Sequence, residues 1–140
     1  MSTDSDQLRA AAEQGNARAQ RKLGIMYDNG EGVARDDAQA VAWYRKAAEQ
    51  GDAEAQDLLG GKYERGLGVA QDYAQAVMWF RKAAERGHLQ AQVDLGLMYE
   101  AGLGVPKDHA QAVAWISKAA NGGHEGADDW LEEHGVERSE

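Results

Sequence analysis

The sequence predicts an all-α protein, a right-handed α-solenoid (α-α superhelix) built of helix–turn–helix repeats. The first observation is a recurring segment: Ala-Ala-Glu-Gln-Gly occupies 11–15 and 47–51, and variants of it occupy 83–87 and 119–123, a period of 36 residues. The second is that apolar residues inside each period recur at helical spacing. A helix pair of this size cannot bury its own apolar face, so we expect the repeats to stack on one another.

The period divides the chain into five segments. Three full 36-residue repeats span 16–51, 52–87 and 88–123, and 18 of their 36 positions are identical in all three. Residues 1–15 end like a second helix, and residues 124–140 begin like a first helix before an acidic tail. We therefore expect a single solenoid domain, 1–140, of eight helices that is capped at both ends by half repeats.

The first helix of each repeat is predicted from a narrow apolar stripe. In the first repeat Ala19, Leu23 and Tyr27 are spaced by four residues. Asn16 and Asp52 are the expected N-caps in the first two repeats, because a short polar side chain accepts a hydrogen bond from the backbone there. Glycines at 30, 66 and 102 are expected to end the helix in the left-handed conformation.

The second helix is predicted to begin at an Asp-x-x-Gln segment, found at 36–39, 72–75 and 108–111, which resembles a capping box. In the first repeat Ala40, Val41, Trp43 and Ala47 are its expected inward residues, and Gly51 is its end. Short loops of the form Gly-x-Gly-Val join the two helices.

Composition and charge exclude several classes of function. The net charge of −9 and the lack of a basic stripe argue against nucleic acid as a partner. The absence of cysteine excludes disulfides and thiolate sites. The longest apolar run, 76–80, is far shorter than the ~20 residues of a membrane span, so no membrane insertion is expected. No signal segment is recognisable, which predicts a cytoplasmic location, or a periplasmic or secreted one if a signal has been removed.

Two recurring features have a functional and a structural interpretation. Trp43, Trp79 and Trp115 would form an aromatic ladder for ligands, but their register with alanine and valine favours an inter-helix core. The Gly-x-Gly loops would suit a phosphate, but they lack the third glycine and the preceding strand of a dinucleotide site, which favours a turn.

Neither a metal centre nor a nucleophile is expected. Histidines stand at 88, 109, 124 and 134, and only His88 and His124 share a repeat position, which favours surface or helix-start residues over metal ligands. Serines stand near the chain ends, at 2, 5 and 139, and at 117 in place of an arginine of the other repeats. No Ser–His–acid arrangement follows from these positions, so we expect no cofactor and no enzymatic activity.

The repeated pattern Ala-x-x-x-Leu-Gly-x-x-Tyr-x-x-Gly-x-Gly-Val-x-x-Asp-x-x-x-Ala-x-x-Trp-x-x-Lys-Ala-Ala-x-x-Gly resembles the Sel-one-like repeat, a relative of the tetratricopeptide repeat. The resemblance covers the three repeats and both half repeats. It implies an adaptor or scaffold that binds other proteins, often in bacterial regulation, secretion or envelope assembly. Some members carry disulfides and are linked to penicillin binding, whereas this chain has no cysteine.

By similarity to the tetratricopeptide arrangement, the first helices are expected to line a concave groove for a protein or peptide ligand. The candidate positions share one helical face, opposite the Leu23–Tyr27 stripe. They are Arg18, Arg21, Ile25 and Asp28 in the first repeat, Glu54, Asp57, Gly61 and Glu64 in the second, and Gln90, Val93, Leu97 and Glu100 in the third. The groove would change from basic through acidic to apolar, with Val93 and Leu97 as anchors.

Two alternatives to a non-catalytic adaptor stay open at this point. Terminal helices could stack to form a structural homo-oligomer, with Trp130 bridging copies near the C-terminal end. The other alternative is a β-lactam hydrolase akin to the disulfide-bearing relatives.

Overall fold

A computed structural model of the chain describes residues 3–138, and within this range every regular element is an α-helix. The helices are α1 (Asp4–Glu13), α2 (Ala17–Asn29), α3 (Asp37–Glu49), α4 (Ala53–Arg65), α5 (Tyr73–Glu85), α6 (Leu89–Ala101), α7 (His109–Asn121) and α8 (Glu125–Glu133). They confirm the predicted helix–turn–helix repeats of the α-solenoid class. We name α2, α4, α6 and α8 the A helices, and α1, α3, α5 and α7 the B helices.

The helices belong to two compact units, of which the first ends at Asp72 and the second begins at Tyr73. The first unit contains α1 to α4, and the second contains α5 to α8. Within each unit every helix packs against the next one in the sequence. Each unit therefore buries its apolar faces between consecutive A and B helices.

Polar N-caps begin the A helices. Asn16 and Asp52 accept a hydrogen bond from the backbone N–H three residues later, at 2.8 and 2.9 Å, as the sequence predicts. His88 and His124 have the same role through Nδ1, at 3.2 and 3.0 Å, which confirms them as helix-start residues. The C-cap glycines at 30, 66 and 102 have φ angles of 70°, 69° and 69°, the predicted left-handed conformation.

The B helices α3 and α7 begin at the predicted aspartates. The carboxylates of Asp36 and Asp108 each accept a hydrogen bond from the backbone N–H of the glutamine three residues later, at 3.1 Å. These contacts are the acceptor half of the predicted capping box.

A buried glutamine ties the A helix of each of the three repeats to the B helix before it. Gln20, Gln56 and Gln92 donate through Nε2 to an alanine carbonyl eight residues earlier, at 3.1, 3.1 and 3.2 Å. Each carbonyl lies near the C-terminal end of a helix, where backbone acceptors have no partner inside the helix. This contact explains why glutamine stands at a buried position in all three repeats.

A glycine sets the closest approach of an A helix to the B helix that follows it. A Cβ atom on Gly24 would lie 2.6 Å from ring carbons of Tyr44, and one on Gly96 would lie 2.6 Å from Cγ1 of Ile116. Tyr44 and Ile116 are among the most deeply buried side chains. Any larger residue at these two glycines would therefore push the helices apart.

Candidate protein-binding surface

Each A helix of the three repeats has one solvent-facing stripe. Its four positions are spaced by four, three and four residues, as the 3.6-residue turn requires, and all are exposed or half-buried. We call these positions, helix by helix, the A-helix stripe. It consists of Arg18, Lys22, Ile25 and Asn29 on α2, Glu54, Leu58, Gly61 and Arg65 on α4, and Gln90, Asp94, Leu97 and Ala101 on α6.

Half of the stripe coincides with the positions that the sequence predicts. Arg18, Glu54 and Gln90 are exposed, and Ile25 and Gly61 are half-buried. Leu97 is 41% exposed, and it is one of two large apolar residues that the described part of the chain leaves exposed. The side chain of Leu97 is therefore accessible to a ligand.

Arg21 lies between two helices of the first unit instead of facing solvent. Its Nε donates to the carboxylate of Asp52 at 3.1 Å, and its Nη1 lies 3.1 Å from Glu54. Two predicted ligand contacts, Arg21 and Glu54, are thus partners of each other. Opposite charges on α2 and α4 neutralise each other at this pair, and the change from a basic to an acidic groove stays a prediction.

Asp28 likewise serves contacts inside the first unit. Its carboxylate accepts a hydrogen bond from the hydroxyl of Tyr44 at 2.9 Å and forms an ion pair with Lys62, which is only 4% exposed. Lys62 also donates to Asp37 at 3.1 Å. A buried ammonium needs such compensation, because removing its water is costly. The assignment of Asp28 to a ligand groove is therefore corrected to a structural role.

The ion cluster of Asp28, Asp37, Tyr44 and Lys62 shifts two titrations. The hydrogen bond from Lys62 holds the pKa of Asp37 below its ordinary value. Burial raises the pKa of the Tyr44 hydroxyl, and its hydrogen bond to the Asp28 carboxylate acts in the same direction. These shifts keep the Asp37 carboxylate charged and the Tyr44 hydroxyl neutral near neutral pH.

In the second unit the structure separates the two predicted apolar anchors. Val93 is only 7% exposed and packs in a core cluster with Ile116 and Ala127, among others. The assignment of Val93 to an open groove is therefore corrected, because its side of α6 faces α7 and α8. Glu100 is half-buried, with its carboxylate 2.7 Å from Nδ1 of His109. Leu97 remains the accessible apolar residue of α6.

Asp57 and Glu64 of α4 are half-buried, and both take part in contacts within the protein. The backbone carbonyl of Glu64 accepts a hydrogen bond from the side chain of Gln71 at 2.8 Å. Positions 57 and 64 thus match 21 and 28, which lie beside the stripe and not on it.

Sequence reasoning missed half of the stripe. The omitted residues are Lys22, Asn29, Leu58, Arg65, Asp94 and Ala101. One signal in the sequence could have found them, because positions 22 and 29 also differ among all three repeats and belong to the same helical face as 18 and 25. In the first repeat the predicted positions 21 and 28 each lie one residue before the solvent-facing positions 22 and 29, and the other two repeats differ in the same way.

The tryptophans and glycines have the structural roles that the repeat favours. Trp43 and Trp79 are buried, which confirms them as core, and Trp115 is half-buried. A lysine three residues later covers each indole ring, at 4.7, 4.8 and 5.4 Å from the ring centroid. Gly68, with φ of 77°, lies against the backbone of Asp37, so the Gly-x-Gly loop of that repeat serves a turn.

The remaining candidates do not come together as a reaction centre. Within residues 3–138 no group of three or more acidic or histidine side chains could hold a metal ion. Ser117 is buried at 1% exposure, while Ser2 and Ser139 lie outside the described residues. Trp130 stacks on His134, with 4.0 Å between ring centroids, and packs on the core of its own unit. None of the described helices has the length and apolarity that a membrane crossing requires.

Comparison with known proteins places the repeats in a family. The model of the Sel1 repeat matches residues 17–52, 53–88 and 89–124, one residue later than the boundaries predicted from the sequence. Among curated proteins no sequence match is found.

Solved structures share both the repeat and the fold. A protective antigen present in uropathogenic Escherichia coli strains, which displays an SLR fold, is 44% identical with a TM-score of 0.87; the alignment covers 99% of this chain and 31% of the antigen. A Sel1 repeat protein from Oxalobacter formigenes is 40% identical with a TM-score of 0.82, over 91% and 96% of the two chains. Helicobacter pylori cysteine rich protein B is 27% identical with a TM-score of 0.70, over 92% and 98%.

Proposed function

Because the chain belongs to the Sel1 repeat family, we propose that it is a non-catalytic adaptor that binds another protein through the A-helix stripe. Members of this family are in general protein–protein interaction scaffolds. The similar solved structures come from bacteria, which supports a bacterial regulatory or secretion-linked role.

The observation that carries the proposal is the contrast between the stripe and the packing face of the same helices. None of the four stripe positions has the same residue in all three repeats, whereas Ala19, Leu23 and Gly24 of the packing face recur in each one. Solvent exposure alone permits the residue at a stripe position to vary among the repeats, but it gives no reason for an apolar residue there. Leu97 is nonetheless exposed, and Ile25 and Leu58 are half-buried. Accessible apolar side chains of this kind are the residues that a partner would bury as anchors.

The two units offer different chemistry to a partner. On the first unit Arg18, Lys22 and Arg65 are exposed, while Glu54 is held by Arg21. This face favours an acidic segment that also carries apolar side chains. On the second unit Leu97 lies on one face of α6 with Gln90 and Asp94, which favours an apolar anchor with polar flanks.

The proposal is tested by affinity capture from an extract of the source organism with the full chain as bait. The test variant combines Arg65→Glu with Leu97→Glu on the stripe. The matched control combines Arg86→Glu with Met78→Glu, which makes the same charge changes at exposed residues away from the stripe.

We expect the wild type and the control to capture the same protein, and the stripe variant to lose it. With the captured protein purified, titration calorimetry should show binding at least about tenfold weaker for the stripe variant, a loss of about 1.4 kcal/mol. Retention by the stripe variant, or loss only in the control, would place the interface elsewhere.

A further inference from the structure

The first unit begins with a shallow pocket of about 230 Å³ between α1 and α2. Its lining residues are Leu8 and Ala11 from α1, and Asn16, Arg18, Ala19 and Lys22 from α2. Arg18 and Lys22 are exposed, and neither forms an ion pair within residues 3–138. We call this surface the N-terminal groove. It combines an apolar floor with a basic edge.

The same groove recurs one period later, where an A helix occupies it. The equivalent residues are Tyr44, Ala47, Asp52, Glu54, Ala55 and Leu58. Helix α2 lies in this second groove, with Gly24 against Tyr44 and Arg21 bonded to both Asp52 and Glu54. The occupied groove therefore shows which side chains of a bound helix meet which positions.

In the second unit an A helix occupies the equivalent groove in the same way. Three periods after the N-terminal groove, the equivalents of Leu8, Ala11 and Ala19 are Ile116, Ala119 and Ala127. Helix α6 covers them, with Gly96 against Ile116 and Val93 in the same core cluster. Val93 stands at the repeat position of Arg21, so both units place the same two helix positions in the groove.

The charge and shape of the N-terminal groove fit a helix that differs from α2 and α6. Where the groove filled by α2 has Glu54, the N-terminal groove has Arg18, so a carboxylate must replace Arg21 on the bound helix. Where Tyr44 and Ile116 require glycine, Leu8 presents a side chain of the same size as that of Ile116. The fitting occupant is an amphipathic helix with an acidic residue followed three positions later by glycine or alanine.

We propose that the N-terminal groove binds an acidic amphipathic helix of another protein. The last helix of a second copy, α8, meets only one of the two requirements. Asp129 stands at the Arg21 position, but Glu132 stands where α2 and α6 have glycine, and in both occupied grooves even a Cβ at that position comes too close to Tyr44 or Ile116. The proposal deepens the protein-binding function by naming a class of partner. It rests on that function, but its test uses a defined peptide and succeeds or fails independently of capture by the stripe.

The test uses labelled peptides with the sequence of residues 16–30, acetylated and amidated at their ends. In the acidic peptide Arg21→Glu and Lys22→Glu replace two cations, while the parent peptide keeps them. Fluorescence anisotropy during titration with the full chain measures both affinities. We expect the acidic peptide to bind at least about tenfold tighter than the parent. The acidic peptide with Gly24→Leu should lose binding, because its side chain would meet Leu8.

Variants of the protein complete the test. Arg18→Glu recreates the charge of Glu54. We therefore expect this variant to reverse the order of the two affinities and to bind the parent peptide more tightly than the acidic one. Leu8→Trp should block both peptides by filling the groove, and Arg86→Glu is the control that should change neither. Isolated helices of this length are only marginally stable in water. The acidic peptide is therefore also joined to Met1 of the protein through a Gly/Ser linker. We expect this fusion to have a higher urea midpoint than the fusion with the parent peptide.

Three results would overturn the proposal. The first is equal affinity of the acidic and parent peptides, or no binding together with no rise in the urea midpoint of the joined form. The second is acidic-peptide binding that survives Arg18→Glu and Leu8→Trp. The third is self-association in light scattering that Arg18→Glu abolishes, which would make a second copy the occupant.

Discussion

Gly24→Ala tests how closely the A and B helices of the first unit approach each other. The added Cβ would lie 2.6 Å from two ring carbons of Tyr44 and 3.3 Å from the carbonyl oxygen of Ala40. Ordinary contact begins near 3.4 Å, so the ring must move by several tenths of an ångström. Tyr44 is 1% exposed and its hydroxyl is bonded to Asp28, which leaves the ring little room.

The matched control is Gly61→Ala, a glycine at nearly the same place in α4. A Cβ on Gly61 meets only the flexible end of Arg65, at 3.6 Å or more. Replacing a glycine inside a helix by alanine, where the added Cβ has room, stabilises a protein by about 1 kcal/mol. Gly24→Ala gains the same propensity but adds an overpacking cost of about 1–3 kcal/mol. We therefore expect Gly24→Ala to be less stable than Gly61→Ala by about 2 kcal/mol.

The assay is urea unfolding at 25 °C followed by circular dichroism at 222 nm, with midpoint and slope fitted for each variant. We expect Gly61→Ala to raise the free energy of unfolding and Gly24→Ala to lower it, with similar slopes. If both alanines stabilised the protein equally, Tyr44 would not confine position 24, and the close helix contact described above would be wrong.

Two further predictions concern the core and the ion cluster. Val93→Arg should lower the free energy of unfolding by about 3 kcal/mol or more, because a charge would enter a core site that is 7% exposed. Leu97→Arg, at 41% exposure, should change it by less than about 0.5 kcal/mol in the same urea assay; equal losses would contradict the burial of Val93. The lowered pKa of Asp37 predicts a stabilising contribution that is present above the unfolded-state value near 3.8 and lost as the pH falls through the lower folded-state value. Asp37→Asn should therefore be less stable than the wild type at pH 7, and the two urea midpoints should converge towards pH 2; a difference that stays constant with pH would show that the carboxylate charge is not the cause.

The helices were predictable because the signals that begin and end them are local. Asn16 and Asp52 act on a backbone group three residues away, and the glycines at 30, 66 and 102 adopt their conformation within one turn. The histidine caps followed from the same repeat position. Such contacts need no knowledge of how helices pack, so the sequence pattern is sufficient.

The solvent-facing stripe was harder to predict because an A helix has more than one covered side. Positions 21 and 28 looked solvent-facing when only the Leu23–Tyr27 stripe was taken as buried. Arg21 reaches a partner 31 residues away, and Lys62 reaches one 34 residues away. Contacts over such distances depend on the packing of α2 on its neighbours, which a single helical wheel does not contain. The burial of Val93 has the same cause.

Site-specific photo-cross-linking shows whether the A-helix stripe contacts the partner. A benzophenone side chain is introduced in turn at Ile25, Leu58 and Leu97, and the protein is irradiated with the partner obtained by affinity capture. Exposed positions on the B helices, Ala42, Met78 and Ala114, are the controls. We predict covalent adducts from the stripe positions and none from the controls. Adducts from the B-helix positions alone would show that the partner binds the B helices instead.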